Sequence, residues 1–319
     1  MIYQSTPDNI AHLADRLRQG DCIAFPTETV YGLGANALDG TAVAGIYDAK
    51  GRPSFNPLIV HVSSLEEAQT YGIFSSTALT LAQAFWPGPL TLVVPRTPEC
   101  PVSELVSAGL PTLALRVPAH DVARRLLTAA GCPLAAPSAN RSGHLSPTRP
   151  DHVSQSLPDI PVLDGGHLAV GLESTIVGCL DDTPTLLRPG GLAREDIEAV
   201  LTTPLGAIPE TDDNTAKLAP GRLLRHYAPR AGMRLNAETT EAGEALLAFG
   251  PPPQGHDGPM INLSPTENLT EAAANLFSAL HELDERAEKI AVMPIPYHGL
   301  GAAINDRLER AARGYTDRV

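Results

Sequence analysis

Aromatic side chains are scarce, 4% of 319 residues, so the interior must be assembled from Ala, Leu, Val and Ile within an apolar share of 43%. Basic residues are outnumbered too, 23 Lys and Arg against 36 Asp and Glu, for a net charge of −13. That balance argues against an extended cationic surface for nucleic acid or anionic lipid. An anionic ligand would have to be held by a few local cations, which favours a small phosphate-bearing molecule over a polymer. Four cysteines occur, Cys22, Cys100, Cys132 and Cys179, without C-x-x-C or metal-ligand spacing. They suit a reducing compartment. No apolar run approaches the ~20 residues that cross a bilayer. Met1–Ser5 turns polar at once, without a signal-peptide core. The expectation is a soluble, cytoplasmic protein with no membrane partner. There is no G-x-x-x-x-G-K-[ST] phosphate loop, no metal-spaced cluster of His, Cys, Asp or Glu, and no G-x-S-x-G around Ser138.

What is present centres on two stretches. Phe25–Gly34 follows the apolar run Cys22–Phe25, a short buried strand by its pattern. Pro26 ends the pairing there, and the hydroxyls and glycines that follow read as a turn with exposed donors and open backbone. Lys50–Pro57 closes a helix over Thr41–Lys50 with two cations and an amide. A polar loop at a strand end beside a cationic loop builds an anion pocket in many α/β proteins. Lys, Gly and Pro in that order are also ordinary helix-stop punctuation.

Elsewhere the pattern predicts helices over Ile10–Gln19, Ser76–Phe85, Asp121–Ala130 and Glu195–Leu201, with Ser64 capping a brief one. Strands are predicted at Leu58–Val62, Leu90–Val94, Thr112–Val117, Val162–Leu163, Thr175–Val177 and Leu186–Leu187. Several connections are too short for βαβ crossovers, so a mixed, twisted α/β sheet is expected. From Thr202 to about Pro229 the chain turns Pro-, Thr- and Asp-rich, a linker or functional loop. Beyond it, strands at Ala245–Phe249, Met260–Leu263 and Lys289–Met293 alternate with helices at Thr270–Glu288 and Ile304–Arg313, a small α/β unit of its own. Gly299-Leu300-Gly301 is only a partial nucleotide-loop match and reads rather as a plain strand-to-helix turn.

Several polar residues interrupt apolar strands or sit at their ends. Arg116 is either a structural partner of a carboxylate or a bidentate clamp on a ligand carboxylate or phosphate. His61 reads as a satisfied core histidine or a site residue, and Arg188 as a surface residue or a phosphate ligand. Ser138, Asn140, Ser142 and Thr148 are loop hydrogen-bonders in either case. Taken together they favour a site for a small anionic, hydrogen-bonding ligand.

Seven ordered segments, Phe25–Gly34, Lys50–Val62, Phe85–Thr91, Leu115–Pro118, Ala136–Gly143, Glu173–Val177 and Leu187–Gly191, span nearly all of residues 1–200. With Arg225–Pro229 and Gly299–Arg307 they resemble the threonylcarbamoyl-AMP synthases, the YrdC-like family, in its long form. Arg222-Leu223-Leu224 departs from the family's usual linker. The resemblance implies an α/β fold: a YrdC-like twisted mixed sheet with helices over 1–203, a linker or lid loop over 204–230, and a smaller Rossmann-like α/β domain over 231–319. It implies that L-threonine, bicarbonate and ATP, accompanied by Mg2+, give threonylcarbamoyl-AMP and pyrophosphate. A downstream tRNA threonylcarbamoyl transferase would consume the product, with no stable nucleic-acid binding by this chain. The family pattern puts threonine at Thr29, His61, Arg116, Ser138 and Ser174. It puts ATP at Lys50, Arg52, Asn56, Thr112, Asn140, Thr148, Arg188 and Tyr227, with Lys50 and Arg52 as catalytic cations and His226 and Tyr227 in the lid. Two other readings stay open on the residues: an RNA-binding module, against which the acidic balance counts, and carbamoyl transfer through a carbamoyl-adenylate to another acceptor.

Overall fold

The computed structural model describes residues 1–53, 56–181, 183–206 and 227–316. The chain begins β1 (Ile2–Tyr3), α1 (Pro7–Arg18), β2 (Ile23–Phe25), β3 (Gly32–Asn36), α2 (Gly40–Lys50) and β4 (Ile59–His61). It continues α3 (Leu65–Tyr71), α4 (Ser76–Phe85), β5 (Leu90–Pro95), α5 (Glu104–Ser107), β6 (Thr112–Arg116) and α6 (Asp121–Ala130). Then come β7 (Leu134–Ala135), α7 (Pro150–Ser156), β8 (Val162–Leu163), β9 (Thr175–Gly178), β10 (Thr185–Arg188) and α8 (Arg194–Leu201). A second unit holds β11 (Gly232–Arg234), β12 (Glu244–Ala248), β13 (Met260–Asn262), α9 (Leu269–Arg286), β14 (Lys289–Val292) and α10 (Gly301–Thr316).

Local chemistry explains the helices. Thr6 caps α1 by accepting from Asn9 N, Pro7 opens it, and Ile10, Leu13, Ala14 and Leu17 are its buried face. Asp39 caps α2, which stops at Gly51 in the left-handed region (φ 58). In α9, capped by Asn268, residues Leu276, Phe277, Leu280 and Leu283 are buried.

The first unit is a mixed ten-stranded sheet in the order β1-β8-β2-β3-β7-β4-β6-β5-β9-β10. The second is a four-stranded sheet in the order β11-β14-β12-β13, parallel throughout. The mixed first sheet and small parallel second sheet agree with the expected α/β architecture. An apolar seam docks the two units: Val30, Leu145, Leu172 and Tyr227 share one cluster with Leu276, Phe277, Leu280, Ile304 and Leu308. No described helix is long and apolar enough to cross a membrane.

The glycines of the first signature stretch differ from expectation. Gly32 and Gly34 belong to β3, paired antiparallel to β2, rather than to an open turn. The Phe25 ring explains Gly34, because a Cβ there would lie 2.7 Å from Phe25 Cε1. Gly299–Gly301 turns the chain into α10, where a Cβ at Gly301 would collide with the Pro296 carbonyl. Close packing accounts for that glycine without a nucleotide. The predicted strand and helix bounds hold to within a few residues, whereas β1, α5, α7 and β11 were absent from the pattern, being too short to show a period. His226, assigned to the lid, lies outside the described residues. Gly34→Ala should destabilise the fold by about 1–3 kcal/mol through the Phe25 clash. Urea unfolding checks this, and an unchanged midpoint would mean that the ring yields freely.

Candidate active site

β4 and β6 run parallel in a register that sets His61 beside Arg116. Both are buried at the ends of their strands. The loop between β2 and β3 covers them. Arg116 Nη2 donates to Glu28 Oε1 at 2.7 Å, Nη1 to Thr29 Oγ1 at 3.0 Å and Nε to the Gly88 carbonyl at 3.2 Å. Glu28 Oε2 also accepts from Ala119 N at 3.0 Å. The structural pairing of Arg116 is therefore present, and its partner is Glu28. A guanidinium carries five N–H donors, so one on each terminal nitrogen is left without a partner among the described residues. Thr27 donates to the Val30 carbonyl at 2.7 Å, so in its 2.7 Å contact with Thr29 it must accept. The protons thus run from Arg116 to Thr29 to Thr27. These hydroxyls are buried, not exposed as the turn pattern implied. The wall opposite holds Ser174, whose hydroxyl meets Thr91 Oγ1 at 2.7 Å.

His61 is held neutral. Burial first, then the Arg116 charge, pushes its pKa down to about 3. Its ring packs edge-on against Phe25 at 5.9 Å, and Nδ1 has no hydrogen-bond partner among the described residues.

Thr29, His61, Arg116, Ser138 and Ser174 line one cavity together with Arg52, Arg188, Glu173 and Tyr227. Its volume is about 50 Å³, room for a water or two at ~30 Å³ each. A larger ligand must part these walls. A far bigger hollow of about 1110 Å³ lies in the second unit, lined by Glu241, Glu244, Asp257, Asp284 and Glu288. Its lining is mainly acidic, with Arg230, His256 and Arg286 among the carboxylates, and contains none of the residues singled out from sequence.

The cations divide by position. Arg52 reaches the Pro57 carbonyl at 3.0 Å, and burial lowers its pKa to about 10. Arg188 donates to the Ser174 carbonyl at 2.7 Å, and burial lowers its pKa as well. Lys50 is absent from the cavity lining. Its Nζ donates to the carbonyls of Ser138 (2.5 Å) and Asn140, tying the 138–140 loop from behind, and burial, then Arg52, pushes it well below the ordinary lysine range. Lys50 and Arg52 have no carboxylate partner among the described residues.

Of the other residues named for ATP, Tyr227 lines the cavity, and burial pushes its phenol up to about 12. Asn56, Asn140 and Thr148 do not line it, yet each keeps a buried side-chain polar atom without a partner among the described residues. Thr112 stands at the far end of β6, about 13 Å from Arg116 at ~3.3 Å per residue, on the same face. The structure does not bring it to the Arg116 end. Between the two ends lies an apolar group of Ile59, Val93, Ala114, Ile176 and Leu187.

Glu28, Thr27, Thr91, Glu173 and Arg307 belong to the site and were not picked out. All five sit within the quoted segments, where for Glu28, Thr27 and Glu173 a carboxylate or hydroxyl next to a chosen residue was the available signal. Arg307 reaches Glu173 from α10, far along the chain.

A mixed sheet whose strand ends bury arginines, a neutral imidazole and a run of hydroxyls around one small hollow is an enzyme-type pocket for a small polar anion. Residues 15–190 match the family described as Telomere recombination, and residues 192–313 match the Threonylcarbamoyl-AMP synthase, C-terminal domain. The chain is 41% identical to the threonylcarbamoyl-AMP synthase of Bacillus subtilis, over 97% of this chain and 95% of the relative. It is 40% identical to that of Pyrococcus abyssi, over 94% and 92%. A crystal structure of P. abyssi Sua5 complexed with L-threonine superimposes with a TM-score of 0.90 at 37% identity, covering 99% of this chain and 98% of that one. The chain belongs to the threonylcarbamoyl-AMP synthase family.

The buried imidazoles set a pH dependence. His152, stacked on His281 at 3.9 Å, is also pushed down to about 3, by burial and then by His281. An unfolded histidine binds a proton near pH 6.5 and these two do not, so their full contribution is present above that pH. It declines as pH falls from about 6.5 toward 3. Thermal melts should show the midpoint dropping over that window, less steeply in His152→Gln. A parallel decline in both proteins would remove His152 from the account.

Proposed function

We propose that this chain makes threonylcarbamoyl-AMP from L-threonine, bicarbonate and ATP. The observation that carries the reading is the convergence of Arg116, neutral His61, Thr29, Ser138 and Ser174 on one buried cavity beside Arg52 and Arg188. The threonine carboxylate takes the two remaining Arg116 donors, and the hydroxyls and His61 hold its amine and hydroxyl. The relative solved with L-threonine supports this assignment. The amine condenses with bicarbonate to a carbamate with loss of water. A carbamate oxygen then attacks the α-phosphorus of ATP, forming the P–O bond as pyrophosphate leaves. Catalysis is mainly positioning, with Arg52 and Arg188 offsetting charge that grows on the departing pyrophosphate.

The nucleotide extends from the arginines along the sheet face, its adenosine over Ile59, Ala114 and Ile176, toward Asn56 and Thr112. Asn140 and Thr148 offer their open polar atoms from the adjoining loop. Magnesium comes with ATP as the substrate complex, held by phosphates and water. No group of three or more His, Cys, Asp or Glu among the described residues is built to hold it. We assign residues 1–203 to catalysis, 204–230 to a linker with Tyr227 at the pocket wall, and 231–319 to a second domain. The product passes to a tRNA threonylcarbamoyl transferase in the cytoplasm, a compartment that suits four free cysteines.

Pyrophosphate release from MgATP should require both threonine and bicarbonate; release with neither would reject the reaction. Arg52→Ala should lower turnover by about 10²-fold or more, the scale of losing one preorganised charge contact. Near-normal product formation by that variant would remove Arg52 from the mechanism.

A further inference from the structure

The second unit sends one side chain into the pocket's wall. Arg307, on α10, is fully buried. Its Nε donates to Glu173 Oε2 at 2.9 Å, and its Nη1 donates to the Pro189 carbonyl at 2.9 Å and to Asp306 at 2.7 Å. Its guanidinium carbon lies 5.1 Å from the centre of the Tyr227 ring. The other oxygen of Glu173 accepts from Ser146 Oγ. Glu173, Arg188 and Tyr227 all line the cavity.

Two consequences follow from this placement. Glu173 puts a carboxylate into the wall of a pocket whose other charged residues are Arg52, Arg116 and Arg188, and left unpaired it would repel an anionic ligand. Arg307 cancels that charge. Arg307 also grips the residue before Ser174 and the residue after Arg188, while Arg188 itself donates to the Ser174 carbonyl. One guanidinium therefore fixes both strand ends that form this wall, along with the ring of Tyr227.

We propose that Arg307 is a positioning residue for nucleotide binding, through which docking of the second unit neutralises and shapes the ATP side of the pocket. The inference rests on the reading of that pocket as an ATP site. By linkage, whatever affinity docking adds for ATP, ATP returns to docking. A purely structural ion pair would alter stability and leave affinity alone.

The test is calorimetric titration of MgATP, with thermal melts alongside, on the full-length protein and on Arg307→Met, Arg307→Lys and Arg307→Met/Glu173→Gln. Arg307→Met should weaken MgATP binding by about tenfold or more, within the ~5–150-fold span of couplings between sites. Adding Glu173→Gln should recover a large part of that loss, since no unpaired carboxylate is then left in the wall. Arg307→Lys, which keeps the charge without the fork, should fall between wild type and Arg307→Met. Affinity within about twofold of wild type in Arg307→Met, or no recovery in the double variant, overturns the inference. Should Arg307→Met fail to fold, Arg307→Lys decides: unchanged affinity overturns the inference, and a loss of several-fold supports it. Absence of MgATP binding by the wild-type protein would instead reject the functional reading.

Discussion

A guanidinium stripped of water is costly unless its donors are met, and the first unit is arranged around meeting those of Arg116. Glu28 supplies charge, Thr29 a hydroxyl and Gly88 a carbonyl, each within 3.2 Å. To supply them, the loop after β2 folds inward over the sheet. That buries Thr27 and Thr29 and orders their protons in one direction. It also leaves His61 buried beside a permanent cation, and burial first, then that charge, keeps the imidazole neutral. The two Arg116 donors without a partner among the described residues are thereby fixed in direction.

The same economy of charge governs the rest of the pocket. The whole chain carries −13, yet the residues around this hollow are predominantly cationic, so attraction for an anion is local rather than long-range. Lys50 serves by holding the 138–140 loop, leaving Arg52 and Arg188 at the cavity itself. Glu173 is the exception in sign, and Arg307 answers it from the second unit. The hollow of about 50 Å³ has room for a water or two as it stands, so any larger ligand requires its walls to part.

Much of this was legible in the residues. Apolar periodicity marked α1, α4, α6 and α9 because each buries one continuous stripe. The interruption of an apolar strand by Arg116 or His61 marked the site because such burial demands a partner. β1 and β11, of two and three residues, carry too few side chains to show a period. The glycines of β3 looked like a turn because the ring that requires Gly34, Phe25, faces it only after the strands pair. A cationic loop and the family pattern made Lys50 look like a phosphate ligand, and the structure turns its ammonium to two backbone carbonyls. Thr112 shares a face with Arg116 but stands at the opposite strand end, a separation that a motif does not reveal. The pairing of Arg307 with Glu173 joins residues from different units, and no local spacing encodes it.

The central claim is that Arg116, oriented by Glu28 and Thr29, receives a carboxylate. The most direct measurement compares calorimetric titrations of L-threonine and L-threoninol, whose carboxylate is replaced by a hydroxymethyl group, into the wild-type protein. The account predicts saturable binding of L-threonine and none of the alcohol over the same concentrations. Equal affinity for the two would contradict it.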